Sequence, residues 1–199
     1  ESTQRLYWKT LLFFSGRKTT RTIGDRTETF RTPTWRVLAQ IRSAFGEEKI
    51  IDSLLSDIRE DDVVYDIGAN VGLYSTFVAG QLSAGTVVAF EPHPANFRLL
   101  RQNTEQYRNR VELHQIGLSD ENRNIHFDNK SVVNETFSVT DGETSGEYEA
   151  EFHHAADFIE RNTIPSPNVV KIDVEGAEIA VIDSLGEILS EETCRVVYC

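Results

Sequence analysis

Apolar and polar residues follow one pattern before about residue 61 and another after it. In the first part, apolar residues recur at helical spacing in three segments, and strand-forming residues alternate around a Gly24-Asp25 turn. The predicted elements are helices over 3–14, 34–45 and 47–59 and a hairpin over 17–32. We interpret residues 1–60 as a cap of helices and a hairpin, and residues 61–199 as the main domain.

In the main domain, short continuous apolar runs alternate with helical patterns. The runs that predict strands are 63–66, 86–91, 111–116, 169–173 and 193–198, and the predicted helices are 71–82, 94–106 and 176–185. Continuous apolar strands that alternate with helices are typical of a parallel sheet covered on both faces. The sequence therefore predicts an α/β fold with a doubly wound, mostly parallel sheet.

Residues 119–151 interrupt this alternation with a long stretch rich in Asp, Glu, Asn, Ser and Gly. Within it, residues 124–127 and 148–152 have the pattern of a small antiparallel pair. A long insertion in a compact domain is often a lid or a binding loop. A solvated surface excursion fits the composition equally well, and the sequence leaves both interpretations open.

The chain is strongly acidic, with 32 acidic and 20 basic residues and a net charge of -12. Only five of its basic residues are lysines. An acidic excess with few lysines fits a halophilic protein, because concentrated salt screens the self-repulsion; an ordinary acidic cytoplasmic protein is the alternative. The charge argues against a nucleic-acid partner, which needs a basic surface.

No apolar run approaches the roughly 20 residues of a membrane span. Residues 11–14 are too short for one and lack the cleavage pattern of a signal peptide. Cys194 and Cys199 lie five positions apart in a predicted strand, so they point to opposite faces and form no Cys-x-x-Cys motif. We expect a protein of the reducing cytoplasm.

The first main strand runs into the loop Asp66-Ile-Gly68-Ala-Asn70-Val-Gly72. Ligands of α/β sheets bind beyond the carboxyl ends of the strands. Gly68 allows a tight turn there, and Gly72 lets the next helix start close to the ligand and pack on the strand. The loop lacks the dinucleotide fingerprint Gly-x-Gly-x-x-Gly, and Asp66 would repel a pyrophosphate. A cationic ligand such as S-adenosylmethionine suits it better, although simple turn glycines remain an alternative.

Two further strand ends carry candidate ligand contacts. Glu91 ends the second strand, where a carboxylate can accept hydrogen bonds from both hydroxyls of a ribose; a helix-start carboxylate before Pro94 is the alternative. Gly117 and Leu118 follow the third strand, where the sheet would meet an adenine, or they form a plain turn. His93 is close enough to approach the site, and His153 and His154 are predicted to begin a helix.

The fourth strand ends in Lys171-Ile-Asp173-Val-Glu175. An apolar strand has no structural reason to place Lys171, Asp173 and Glu175 at alternate positions. They could pair with each other, or they could face the ligand crevice. In the crevice, Asp173 or Glu175 could act as a general base on a substrate hydroxyl while Lys171 tunes the charge. No His and Cys spacing indicates zinc, and the sequence leaves a metal requirement open.

Four segments, taken together, resemble a known enzyme family. They are Val-Val-Tyr-Asp66-Ile-Gly68-Ala-Asn70-Val-Gly72-Leu-Tyr74-Ser, Val-Ala-Phe-Glu91-Pro92-His-Pro-Ala-Asn96-Phe, Gly117-Leu118-Ser119-Asp120, and Lys171-Ile-Asp173-Val-Glu175-Gly176-Ala-Glu178. Together they resemble the FkbM family of methyltransferases over about residues 63–185. The last block is specific to that family, whereas the first loop is common to many methyltransferases.

This resemblance implies a class I, Rossmann-like methyltransferase fold and S-adenosylmethionine as the cofactor. It implies Asp66, Gly68, Asn70 and Gly72 at the methionine part, with Tyr74 beside them, Glu91 and Pro92 at the ribose, and Gly117 and Leu118 near the adenine. It also implies O-methylation of a hydroxyl on a sugar, a glycan or a secondary metabolite.

The family's usual sixth and seventh strands would follow Cys199, so we expect the domain to be incomplete at that end. Some related enzymes hold magnesium with a carboxylate at the fourth strand, a role that Asp173 could fill. A module that binds S-adenosylmethionine without transferring its methyl group is the main alternative. A nicotinamide-dependent oxidoreductase is disfavoured by the loop.

Overall fold

A computed structural model of the chain describes residues 3–43, 47–127, 148–174 and 176–199. The elements before the main sheet are α1 (Thr3–Phe14), β1 (Lys18–Ile23), β2 (Arg26–Arg31), α2 (Trp35–Ser43) and α3 (Glu47–Asp57). Strands β1 and β2 pair in antiparallel register, with Ile23 opposite Arg26 across the turn. The three helices and the hairpin predicted for this part of the chain are therefore confirmed.

The main sheet and its helices follow in alternation. In chain order the elements are β3 (Val63–Ile67), α4 (Leu73–Gln81), β4 (Thr86–Phe90), α5 (Pro94–Asn103), a 3-10 turn (Glu105–Tyr107), β5 (Val111–His114), β6 (Gly117–Ser119), β7 (Arg123–Phe127), β8 (Tyr148–His154), α6 (Ala155–Arg161), β9 (Val169–Ile172), α7 (Glu178–Leu185), α8 (Glu187–Ser190) and β10 (Val196–Tyr198).

Five of these strands form one parallel sheet in the order β10-β9-β3-β4-β5. The chain enters at β3, adds β4 and β5 on one side, and then returns to add β9 and β10 on the other. The strand order therefore reverses between β3 and β9, and ligands of open α/β sheets bind at the carboxyl ends of such a switch point. The predicted doubly wound parallel sheet is confirmed.

Side chains from the two faces of the sheet form two cores. On one face, β3 and β4 pack with α4, α5 and the first sixty residues, including the fully buried Phe30, Ile51 and Phe77. On the other face, α6 and α7 cover Tyr65, Phe90 and their neighbours. The cap thus shares a core with the main sheet; its separation as a unit of residues 1–60 stays a prediction.

A second sheet of three strands, in the order β6-β8-β7, stands beside the first. The antiparallel pairing of β7 with β8 confirms the pair predicted within residues 119–151. The third main strand, expected to reach residue 116, ends at His114, and Gly117 to Ser119 pair with β8 instead. Gly117 permits this, because a Cβ there would overlap the ring of Phe152.

The predicted helix start at His153 and His154 is wrong. Both residues end β8, where they pair with Leu118 and Ser119, and α6 begins only at Ala155. Pairing with β6 outweighs the local helix signal at these positions. Among the described residues, no helix is both long and apolar enough to cross a membrane.

Candidate functional site

The loop after β3 is shaped by three residues with left-handed backbone: Gly68 (φ 75), Asn70 (φ 50) and Gly72 (φ 86). A Cβ on Gly68 would overlap the carbonyl oxygen of Asp173, because the loop crosses directly over the end of β9. A Cβ on Gly72 would lie 2.8 Å from Leu100 Cδ1. The absence of a side chain at Gly72 therefore lets α5 pack closely against the loop. The sequence had instead suggested that Gly72 lets the helix start close to the ligand and pack on the strand.

Asp66 and Lys171 form a buried ion pair at the switch point, with Nζ 2.9 Å from Oδ1. Their side chains are 2% and 5% exposed. The hydroxyl of Ser75 donates to Asp66 Oδ2 at 2.5 Å, and Lys171 Nζ also donates to the Gly68 carbonyl at 2.9 Å. The pair thus joins β3, the loop, α4 and β9, although Asp66 Oδ1 has only the ionic contact with the ammonium and accepts no hydrogen bond from a described residue.

The structure describes two of the three charged residues at the end of the fourth strand, Lys171 and Asp173, and their surroundings differ. The Lys171 ammonium lies over the ring of Tyr74, 4.9 Å from its centroid, and is turned into the protein. Asp173 is 63% exposed, with its Oδ2 3.9 Å from Lys171 Nζ. The mutual pairing that the sequence left open is thus present as a long contact between Lys171 and Asp173, and the close partner of Lys171 is Asp66 instead. Glu175 lies outside the described residues.

Sequence patterns missed two charged residues of the cap that approach this edge. Burial raises the pKa of Glu47, at the start of α3, and the charge of Asp173 raises it further, whereas Arg21 and Lys171 lower it. Burial likewise raises the pKa of Tyr74, with Glu47 and Asp173 adding to the effect. Arg21 and Glu47 thus belong to the electrostatic surroundings of Tyr74, a proximity that no local motif encodes.

Glu91, at the tip of β4, is 5% exposed and ties the loop to the start of α5. Its Oε2 accepts from the Asn70 N–H at 2.8 Å, and its Oε1 accepts from the His93 N–H at 2.8 Å and from Asn96 Nδ2 at 3.5 Å. A carboxylate offers about four acceptor positions. These bonds leave hydrogen-bonding capacity for a ligand hydroxyl, and the predicted ribose contact stays a prediction.

Burial raises the pKa of Glu91 to about 7, although the bonds from His93, Asn70 and Asn96 oppose the shift. The unfolded chain ionises this carboxyl near pH 4.5. Between the two values the folded state holds more protons, so Glu91 lowers the free energy of unfolding as pH rises through that window. The shift corresponds to about 3 kcal/mol.

We therefore expect the wild-type chain to lose stability between pH 4.5 and 7 relative to Glu91→Gln, with a constant difference above pH 7. Urea unfolding of both proteins across this range measures the effect. Groups that titrate in both proteins contribute equally to the two free energies of unfolding, so their contributions cancel in the difference. A pH-independent difference between the two would show that Glu91 is ionised with an ordinary pKa.

Two aromatic rings, those of His93 and Tyr148, lie next to Glu91. His93 begins α5, where its Nδ1 accepts from the N–H of Ala95 at 3.1 Å, and its ring contacts Tyr148 with centroids 4.4 Å apart. Burial, and then the charge of Glu91, raises the pKa of Tyr148 to about 12. The described end of the 119–151 insertion thus reaches the site, whereas residues 128–147 lie outside the described residues.

The remaining predicted contacts have less direct geometry. Pro92, between Glu91 and His93, is half-buried, and Gly117 and Leu118 are buried in β6. Leu118 belongs to the core beneath α6 and α7. Their contact with a ribose and an adenine stays a prediction.

Two buried amide oxygens, Asn70 Oδ1 and Asn96 Oδ1, accept no hydrogen bond from any described residue. An unpaired buried acceptor is unfavourable, and a bound ligand can supply the missing donor. S-adenosylmethionine offers donors in its ammonium group and ribose hydroxyls. Together with the Glu91 carboxylate, the two amides therefore fit this cofactor. In the part of the chain that is described, no three His, Cys, Asp or Glu residues cluster as metal ligands.

Residues 66–199 match the methyltransferase FkbM domain family. The chain belongs to the FkbM methyltransferase family. Hexuronic acid methyltransferase AglP of Haloferax volcanii is 33% identical over 152 residues, which cover 76% of this chain and 59% of AglP. The 31-O-demethyl-FK506 methyltransferase FkbM of Streptomyces tacrolimicus is 32% identical over 109 residues, 50% of this chain and 41% of that protein.

The fold agrees with this membership. The crystal structure of methyltransferase FkbM from Methylobacillus flagellatus KT superposes with a TM-score of 0.53 at 17% identity, covering 73% of this chain and 35% of that one. The FkbM family match begins at Asp66 and includes every candidate cofactor residue from that position onward. This chain spans about three-fifths of the length of AglP.

Proposed function

We propose that the protein is an S-adenosylmethionine-dependent methyltransferase that methylates a hydroxyl of a sugar or a small metabolite. The observation that carries the proposal is the set of acceptors at the carboxyl ends of β3 and β4 and the start of α5. Glu91, Asn70 and Asn96 present carboxylate and amide oxygens in a family whose members are methyltransferases. A ligand with an ammonium group and ribose hydroxyls complements these oxygens.

In this proposal, bound S-adenosylmethionine supplies an electrophilic methyl group on a sulfonium. Gly68, Asn70 and Gly72 shape the loop against which the methionine part rests, and Glu91 orients the ribose. Tyr74 and the buried Asp66–Lys171 pair hold that loop in place. Positioning supplies much of the rate of an in-line displacement, so rigidity of the loop is the main contribution of these residues.

Asp173 is the candidate general base, because its side chain is exposed at the carboxyl end of β9. It would take the proton of the acceptor hydroxyl as the oxygen attacks. Lys171 is better assigned as a positioning residue, since its ammonium is committed to Asp66 and Gly68. Glu175 remains a second candidate base from the sequence.

A carboxylated sugar is the acceptor that similarity to AglP favours. AglP is a hexuronic acid methyltransferase, and it comes from Haloferax volcanii. The net charge of -12 with five lysines also supports a halophilic protein that works in the salt-rich cytoplasm. Binding measured in dilute and in molar potassium chloride tests the salt proposal, which requires a folded, active protein in the concentrated salt.

Titration calorimetry with S-adenosylmethionine tests the proposed function. We expect saturable binding by the chain, and a loss of about 1.5 kcal/mol or more in Glu91→Ala, because a hydrogen bond to a charged acceptor is lost. Glu160→Ala, an exposed carboxylate of α6, is the matched control and should bind as the wild type does. Equal affinity in all three proteins would mean that Glu91 does not bind the ribose.

A methyl-transfer assay with labelled S-adenosylmethionine and methyl glucuronide follows the titration. Transfer to a hydroxyl oxygen supports the proposal, and Asp173→Asn should then lower kcat with little change in donor affinity. Donor binding without transfer to any of a panel of sugars and metabolites would instead indicate a binding module.

A further inference from the structure

A second concave site lies in the cap, outside the residues that match the FkbM family. It has a volume of about 560 Å³. Small-molecule sites usually measure about 300–1,000 Å³. Its walls come from α1, β1, α2 and α3, and the residues that line it are Tyr7, Trp8, Thr20, Arg21, Thr22, Arg42 and Glu48.

The side chains that line this pocket match the chemistry of an anionic sugar. Trp8 and Tyr7 meet edge to face, with centroids 5.2 Å apart, and offer the apolar surfaces on which a sugar ring packs. Arg21 and Arg42 bring guanidinium groups, which bind carboxylates in a bidentate manner. Glu48 adds a carboxylate that can accept from sugar hydroxyls, whereas the Thr22 hydroxyl is already paired with that of Thr27 at 2.8 Å.

The part of the chain that forms most of this pocket is basic, whereas the chain as a whole is acidic. Residues 2–46 contain nine of the 20 basic residues but only two of the 32 acidic ones. A protein with a net charge of -12 repels anions over most of its surface. A local basic region reverses that field and would attract an anionic substrate.

One residue of the pocket, Arg21, lies within electrostatic reach of Tyr74 at the proposed methyl-transfer site. Arg21 lines the pocket, and its guanidinium donates to the Ile41 carbonyl, which fixes β1 to α2. Its charge also opposes the rise in the pKa of Tyr74 that burial, Glu47 and Asp173 produce. Tyr74 in turn covers Lys171 at the switch point. The charge of Arg21 thus acts on both the pocket and the crevice.

We propose that this cap pocket is the acceptor subsite and that it binds the carboxylated ring of a uronate-type sugar. Arg42 and Arg21 bind the carboxylate, and Trp8 packs against the ring face. The inference rests on the proposed function, because it supplies the acceptor of that reaction. The cap therefore selects the substrate, while the main sheet holds the methyl donor.

The test uses the whole chain and two probes that differ only in charge, methyl glucuronide and methyl glucoside, with binding followed by ligand-observed NMR. We expect the glucuronide to bind and the glucoside to bind at least about tenfold more weakly. Arg42→Ala should reduce glucuronide affinity about tenfold and glucoside affinity less than twofold, and Trp8→Ala should weaken both. Arg42 is exposed, so its replacement leaves the core intact.

Arg108→Ala is the matched control, because Arg108 is exposed directly after the 3-10 turn and is absent from the pocket. Equal binding of the two probes, or an equal loss in the control, would overturn the inference. So would tighter binding of an oligonucleotide or of anionic lipid vesicles at the same residues. S-adenosylmethionine affinity is measured in the wild type and in every variant. A wild type that does not bind S-adenosylmethionine contradicts the proposed function. A wild type that binds it, together with an Arg42→Ala variant that binds glucuronide as well as the wild type does, contradicts only the acceptor subsite.

Discussion

Replacing Lys171 by methionine will lower the free energy of unfolding by about 3–5 kcal/mol, because Asp66 is left charged and buried without its partner. The two side chains are 5% and 2% exposed, so water cannot replace the lost ammonium. The Gly68 carbonyl also loses its donor at the same time. Urea unfolding measures the stability. Donor binding should weaken as well, because the loop is no longer anchored to β9.

Lys49→Met is the matched control, since Lys49 is an exposed lysine of α3, and it should change stability by less than about 0.5 kcal/mol. The double variant Lys171→Met, Asp66→Asn removes the orphaned charge and should recover part of the loss. A single variant as stable as the control would mean that the pair is not buried. A double variant worse than the single one would show that Asp66 is stabilised by groups other than Lys171.

Gly68→Ala should abolish measurable donor binding and destabilise the fold by about 2–5 kcal/mol. Two costs combine at this position. An alanine at φ 75 is strained by about 1–2 kcal/mol. Its Cβ would also overlap the Asp173 carbonyl oxygen, so the loop and the end of β9 must move apart, at a further cost of about 1–3 kcal/mol. Thermal unfolding and calorimetry with S-adenosylmethionine measure the two effects.

Gly16→Ala separates the backbone strain from the steric overlap. Gly16 has φ 61, and a Cβ there has no neighbour within 4 Å. We expect this control to lose only the strain energy, about 1–2 kcal/mol, and to keep full donor affinity. Equal destabilisation by the two substitutions would mean that the loop and the end of β9 can move apart without a loss of stability. Full donor binding by Gly68→Ala would exclude the loop from the cofactor site.

The local pattern of apolar residues was sufficient to predict most strands of the main sheet. The runs at residues 63–67 and 86–90 are buried on both faces, and such strands are continuous and apolar because neither face meets water. The motif around Asp66 and Gly68 predicted the loop and the class of ligand, because the position of the glycine and the carboxylate at the strand end are both features of the local sequence.

Long-range contacts account for what the pattern did not predict. Gly117 leaves the line of β5 because Phe152, 35 positions later, packs against it, and His153 and His154 are strand residues because β6 pairs with them. Gly72 accommodates Leu100 of α5. In each case the partner lies on another element, so the residue's own neighbours in sequence carry no signal.

The sequence by itself determined the parallel α/β sheet, the glycine loop and the acidic strand ends that point to S-adenosylmethionine, because these depend on burial and backbone freedom over a few consecutive residues. Only the tertiary structure decided that Lys171 anchors Asp66 and that the cap brings Arg21 and Glu47 to Tyr74. Those arrangements join β1, α3, α4 and β9. Their energies come from desolvation and charge proximity, which exist only once distant segments have packed together.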